Sequence, residues 1–444
     1  MQILALFLAC VPLSSSASAP AVRQDPQSKP GAKRWTQAEL EQLSRTIEAD
    51  IEGLRGERFE RPVSVRISSK ADLIEYAKQR EAKHVDPKVQ RADERIAKLL
   101  GAIPPDLDLR AKTFELLESQ VAGFYDPDTD SFSLMEELPL ALTRITLAHE
   151  LDHALDDQLF GIDATLERLG DDTDAQLAFQ AVVEGSGTAV MTQWTLANAG
   201  SLDMSSISQQ DMDQMTSLSG APAWMWKPML GVYMAGAAFL QRTESLMAAQ
   251  TKPVNSADIR AAFKEPPRST EQILHPAKYW DPAQRDEPTR LTFETSGLAE
   301  GWSLERQDTL GELMIAIQCT PPQEREGIDL KSPAAILGIA FSSEIAKGWD
   351  GDRLALISNG DACVLRWVSV WDSERDAGEY FGAMHTLRAN LETAARALSV
   401  AGGKDCGASI EYGAGANEVI VTLHVDVRRT ELKRVLRGLA YSRS

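Results

Sequence analysis

Between Pro139 and Gly161 the spacing of apolar residues leaves the chain little choice of structure. Leu147, Leu151 and Leu155 recur at helical spacing along one stripe, Pro139 suits a first turn, and Gly161 supplies a C-terminal stop. A helix over Pro139 to Phe160 is predicted. Inside it lies His149-Glu150-Leu151-Asp152-His153, which sets two imidazoles one turn apart on one face. Two such rings can meet one metal ion. Glu150, on the adjacent face, can then take a proton from water during attack on a carbonyl. A solvated surface helix could carry the same letters by chance, but the leucine stripe on the opposite face and the scarcity of histidine, six in the chain, favour a site.

A catalytic zinc site takes three protein ligands and leaves one position open. The metzincin pattern would need Gly at 156 and His at 159, where this chain has Asp156 and Leu159, and the remaining histidines lie far away. Glu184 is the better third ligand, as a lone acid in the apolar stretch from Leu177 to Met191 of a helix expected over Asp174 to Asn198. A carboxylate buried on such a helix costs several kcal/mol unless paired, and a metal ion is a suitable partner. Gly185 and Gly187 each cost the helix about 1 kcal/mol relative to alanine, which points to close approach of a second helix. Asp171, Asp172 and Asp174 read as loop or cap residues.

His149-Glu150-x-x-His153 followed by Glu184 on a later helix resembles the gluzincins, the thermolysin-like class of zinc metallopeptidases. In that class the third ligand is a glutamate on a second helix, although the gap here is longer than in thermolysin. Position 188 is Thr where many relatives have an acid, so Asp156 or Asp157 is the candidate to orient an imidazole. The resemblance implies zinc (Zn2+) on His149, His153 and Glu184, Glu150 as general base, and a downstream Tyr, His or Arg steadying the oxyanion. His275, in Leu274-His275-Pro276, and Tyr233 are the two candidates, with a turn cap and a core tyrosine as their bland alternatives. Together with the segment Gly123 to Leu134, they also resemble exported bacterial metallopeptidase-like proteins over about residues 120 to 280. The implied activity is hydrolysis of peptide bonds in peptides or proteins. The alternative is an inactive metallopeptidase-like binding or interaction protein outside the cytoplasm, against which the intact Glu150 argues.

The rest of the chain sets the context. Met1 to Ala21 is uncharged, with an apolar run from Ile3 to Leu13 and then small residues, and reads as a signal peptide for export to the periplasm or beyond. Leu8-Ala9-Cys10 offers a lipid anchor at Cys10 as a variant of that reading. Residues 22 to 34 read as a flexible linker. A net charge of -19 opposes nucleic-acid partners, and the apolar run Pro228 to Leu240 is too short to span a membrane.

The fold class expected is α+β: a helix-rich zincin-like catalytic domain with a small sheet over 35–284, then a separate α+β layer domain over 285–444. A helix over Leu40 to Leu54, a strand over Pro62 to Ile67, a hairpin over Gly123 to Leu134 and an apolar helix over 228–249 are expected in the first. The second should alternate helices at 309–318, 331–347, 373–399 and 429–440 with strands at 353–358, 363–371, 408–412 and 417–427. Cys363 and Cys406 are the expected disulfide partners of an exported chain. Asp350 and Asp352 could touch calcium, but without the rest of a calcium-loop spacing they read as a tight turn.

Overall fold

The structure is a computed structural model that describes residues 35–444 except 121–122, 127–128, 130, 137, 209–219, 250–251, 254 and 321–337; the leader, the linker and Cys10 lie outside the described residues. Thr36 and Glu39 form a capping box that opens helix α1 (Gln37–Arg55), and Gly56, at a φ of 65°, closes it. Leu40, Ile47 and Ile51 are its buried stripe. Strand β1 (Ser64–Ser68) leads into helices α2 (Lys70–His84), α3 (Pro87–Leu99) and α4 (Leu109–Gln120). Strands β2 (Gly123–Asp126) and β3 (Ser131–Met135) then pair antiparallel, Tyr125 opposite Phe132, while β1 joins β3 in parallel, Val65 opposite Phe132. The resulting sheet runs β1-β3-β2.

Against that sheet and α1 lies α5 (Leu140–Phe160), which Gly161 ends at a φ of 67°. After α6 (Ile162–Leu169) comes α7 (Thr173–Asn198), opened by the Asp172 carboxylate accepting from the Ala175 amide. Helix α7 packs against both α5 and α8 (Ala223–Leu240). Glycines make the α7–α8 crossing possible. A Cβ on Gly236 would lie 2.0 Å from the Ala181 carbonyl oxygen, and one on Gly185 would lie 2.4 Å from the Gly236 carbonyl carbon.

Helices α9 (Ser256–Lys264) and α10 (Thr270–Leu274) lead to strands β4 (Leu291–Glu294) and β5 (Ser303–Asp308) and helix α11 (Gly311–Cys319). Strands β6 (Trp349–Asn359) and β7 (Ala362–Trp371), helix α12 (Glu374–Ala397), strands β8 (Gly407–Tyr412) and β9 (Glu418–Val425), helix α13 (Arg429–Arg437) and strand β10 (Ala440–Arg443) complete the chain. β5 to β9 form an antiparallel sheet in the order β5-β6-β7-β9-β8, against which α12 packs, and β10 pairs with β4. The architecture is α+β with small sheets.

One apolar core runs across position 285, from Ala92 and α7 and α8 through α11 to Val425. Polar ties accompany it. The Asp174 carboxylate accepts from the Thr270 amide (3.0 Å), and buried Asp352 accepts from the Leu310 and Gly311 amides and the Trp349 and Trp367 indoles, at 2.8 to 3.1 Å. Asp350 accepts from the Thr289 amide and hydroxyl. Both acids therefore lie in strand β6, held by N–H and O–H donors, rather than in the tight turn expected. Lys278 places its ammonium 2.6 Å from Glu271, 2.7 Å from Asp286 and 3.0 Å from Asp372 of the C-terminal half.

Three expectations need correction. The apolar helix starts at Ala223 and ends at Leu240, because burial of Trp224, Met225 and Trp226 carries it through Pro228 despite the missing amide. Residues 338–347 are turns rather than the end of a helix; Phe341 drops into the core beside Gly231, while 331–337 lie outside the described residues. Cys319, Cys363 and Cys406 are free thiols. β9 stands between β7 and β8 with Val425 opposite Cys363, so the two expected partners are about two strand spacings apart, ~9–10 Å, beyond disulfide reach.

Candidate metal centre

Helices α5 and α7 bring the three expected ligands together. Glu184 Oε2 lies 3.3 Å from His149 Nε2 and 3.2 Å from His153 Nε2, and ligand atoms of the three residues all fall within 4.8 Å of one another. Tetrahedral coordination with bonds of ~2.0–2.1 Å sets ligand atoms roughly 3.3 Å apart, so the observed separations suit one small divalent ion. Gly187 makes the approach possible. A Cβ there would lie 2.8 Å from His149 Cε1 and 2.9 Å from His153 Cε1, inside van der Waals contact with both rings.

The site is buried: His149 is 1%, His153 4%, Glu184 7% and Glu150 0% exposed. Burial pushes the Glu150 carboxyl up to about 8, with the His153 charge pulling the other way and the Glu184 charge reinforcing the rise. Burial alone would lower the His153 imidazole, but the Glu184 carboxylate outweighs it and lifts the ring to about 9. Burial would likewise raise Glu184, yet His153 and the bonds from both imidazoles hold it near about 2. His149 is lowered by burial and by His153. By themselves, then, the three side chains share one proton where a dication would sit, and they behave as a unit.

Arg55 and Ser186, which the sequence left unremarked, complete the surroundings, and Asp156, expected as an imidazole partner, accepts from the arginine instead. Arg55, the last residue of α1, is buried with its guanidinium on α5 and α7: Nη1 donates to Asp152 and, at 3.1 Å, to Ser186, while Nη2 donates to Asp156 at 2.6 Å. Ser186 donates to Asp152 at 2.8 Å. Asp152 and Asp156 are thus two buried acids on one buried guanidinium, while the Glu184 carboxylate stands against the two imidazoles as the negative charge available to a dication. No sequence signal marked Arg55, since an arginine in a last helical turn ordinarily complements the helix dipole at the surface.

Tyr233, on α8, stacks on the His149 ring with centroids 6.0 Å apart and planes at 24°. His275 stands elsewhere. As the C-cap of α10 it has Nε2 3.0 Å from Glu312 and Nδ1 3.4 Å from Glu244. Asp157 accepts from the Ile162 amide and the Tyr125 hydroxyl, Asp171 from Arg306, and Asp174 from Thr270. A second acidic group, Glu271, Asp286 and Asp372, already surrounds the Lys278 ammonium. Beside Tyr233 lies a mainly apolar cavity of about 210 Å³, walled by Leu177, Gln180, Trp224, Met229 and Val232. Gln180 is one turn before Glu184 on α7.

A family model described as a domain of unknown function (DUF8575) matches residues 296–430, which hold β5 to β9, α11 and α12 but none of the three clustered residues. No curated protein and no solved structure matches the chain.

Proposed function

We propose that the chain is an exported zinc-dependent peptidase of the gluzincin type on a zincin-like helical scaffold, acting on peptide bonds of peptides or proteins. The observation that carries the reading is the placement of Glu184 at 3.2 to 3.3 Å from two imidazoles of an H-E-x-x-H helix. His149, His153 and Glu184 would hold the ion. Bound there, zinc supplies a Lewis acid that polarises the scissile carbonyl and makes water more acidic.

The chain's own side chains do the rest. Glu150, next to His149 on α5, would in its ionised form take the proton of the attacking water and pass it to the leaving amine. Tyr233, against His149, is the candidate donor to the developing oxyanion, in preference to His275, whose ring nitrogens face Glu312 and Glu244. The apolar cavity beside Tyr233 offers room for a large apolar side chain near the scissile bond.

Metal analysis of the purified protein together with a peptide-library cleavage assay tests the reading. Wild type should hold about one zinc per chain, and Glu150→Gln should keep zinc while losing most turnover. Equal zinc in wild type and His149→Ala would remove the site. The full burial of Glu150 and the near-full burial of the ligands favour one second reading, a binding protein with a closed structural metal. Stable zinc without cleavage of any library peptide would establish that alternative.

A further inference from the structure

We propose that Arg55 is a positioning residue for the metal centre, fixing the separation of α5 and α7 and hence the distance from the imidazoles to Glu184. The inference rests on reading those three residues as metal ligands. Its basis is where the guanidinium donates. Asp152 lies between the two histidines in sequence, Asp156 is one turn further along α5, and Ser186 is two residues past Glu184 on α7. Ser186 closes the triangle by donating to Asp152, so short, directional bonds tie the two ligand-bearing helices together at this level.

Two physical points make the clamp more than a source of stability. Buried ion pairs seldom stabilise a fold more than apolar residues of the same size would. Ligand geometry, by contrast, tolerates only about 0.2 Å, and groups that orient ligands typically carry 10–100-fold in metal affinity. Beside the histidines α7 offers only Ser186 and the Cβ-less Gly187, and its apolar packing on α5 lies one to two turns further on, at Val190, Met191 and Trp194, so at the ligands themselves the separation falls to the polar clamp. A planar fork reaching two carboxylates at once resists sliding and rotation together; a lysine ammonium at the same place would keep the charge and lose the fork.

The test compares full-length wild type, Arg55→Lys and Arg55→Met. Zinc affinity is measured by competition with a chromophoric chelator, the cobalt-substituted visible spectrum is recorded, and folding is followed by near-ultraviolet circular dichroism. Arg55→Met is expected to bind zinc at least about tenfold more weakly. Arg55→Lys should fold, bind with intermediate affinity and show a shifted cobalt spectrum. If Arg55→Met does not fold, Arg55→Lys decides alone. Folded Arg55→Lys with wild-type affinity and an unchanged cobalt spectrum, whatever its melting temperature, would reduce Arg55 to a structural ion pair and overturn the proposal. Wild type that binds neither metal would instead sink the ligand assignment on which it rests.

Discussion

Replacing Gly187 by alanine adds one methyl group between the two imidazoles, and the structure fixes how much must move. The new carbon would sit 2.8 to 2.9 Å from atoms of both rings, whereas carbon contacts settle near ~3.5–4.0 Å, so ring and helix must part by roughly 0.7–1 Å. That is several times the ~0.2 Å that a zinc site tolerates. Stability should change far less. Overpacking costs about 1–3 kcal/mol, while removing a helical glycine returns up to about 1 kcal/mol, leaving a net loss on the order of 0–2 kcal/mol for the metal-free protein. The expected signature is zinc affinity weakened by tenfold or more, beyond the ~10–100-fold of a lost orienting group if the rings cannot re-form the set, with a small shift in urea midpoint. Gly382→Ala on α12, where an added Cβ meets nothing within 4 Å, is the control: slightly stabilised, zinc unchanged. If Gly187→Ala binds zinc as wild type does, the rings are not held against α7 as described and the three-ligand site fails.

Three further outcomes are expected. Zinc must displace the proton that His153 holds up to about 9, so affinity should rise by up to about tenfold per pH unit between pH 6 and 8; titrations showing no proton release would contradict the shared-proton site. Tyr233→Phe should retain zinc and lose roughly 10²-fold in kcat, and unchanged turnover would remove the tyrosine from the mechanism. Lys278→Met leaves the buried Glu271 facing two other acids and should cost up to about 3 kcal/mol by chemical denaturation once Glu271 is ionised, above about pH 8. Burial already lifts Glu271 to about 8 in the folded chain, above its unfolded value, so this acid supports folding while protonated; the deficit due to it should be small at and below neutral pH and grow as the pH rises through 8, and a pH-independent deficit would refute the account.

What could be read in the residues was whatever a local period or a local cost reveals. Helix α5 followed from its leucine stripe and its Gly161 stop, and α7 from an apolar run interrupted by one acid and two glycines whose helical cost had to be offset by close packing. Strand β5, Ser-Leu-Glu-Arg-Gln-Asp, lacks apolar alternation because its polar side chains serve ties such as Arg306 to Asp93, Asp171 and Asp308. β4 and β10 pair with each other from nearly opposite ends of the C-terminal half, so neither signals itself locally. Cysteine pairing failed for the same reason: strand order is a property of the whole sheet. In the site, residue types and spacing reached His149, His153 and Glu184, but a bond from Arg55 to Asp156, a hundred residues along, leaves no trace in either segment. Burial of Glu150, which sets its acidity, was equally out of reach.

The near-complete enclosure of His149, His153 and Glu184 also bears on how any ion gets in and out. Ligands with so little open surface exchange metal only when neighbouring helices part, so exchange should follow the rate of local opening rather than the strength of the competing chelator. A chelator added to the folded protein would then strip it slowly, over a time nearly independent of chelator concentration. The metal found in a purified sample would record which ions were at hand while the chain was closing, more than those present in the final buffer. Preparations folded in different media could therefore differ in content and activity while sharing one sequence and one shape.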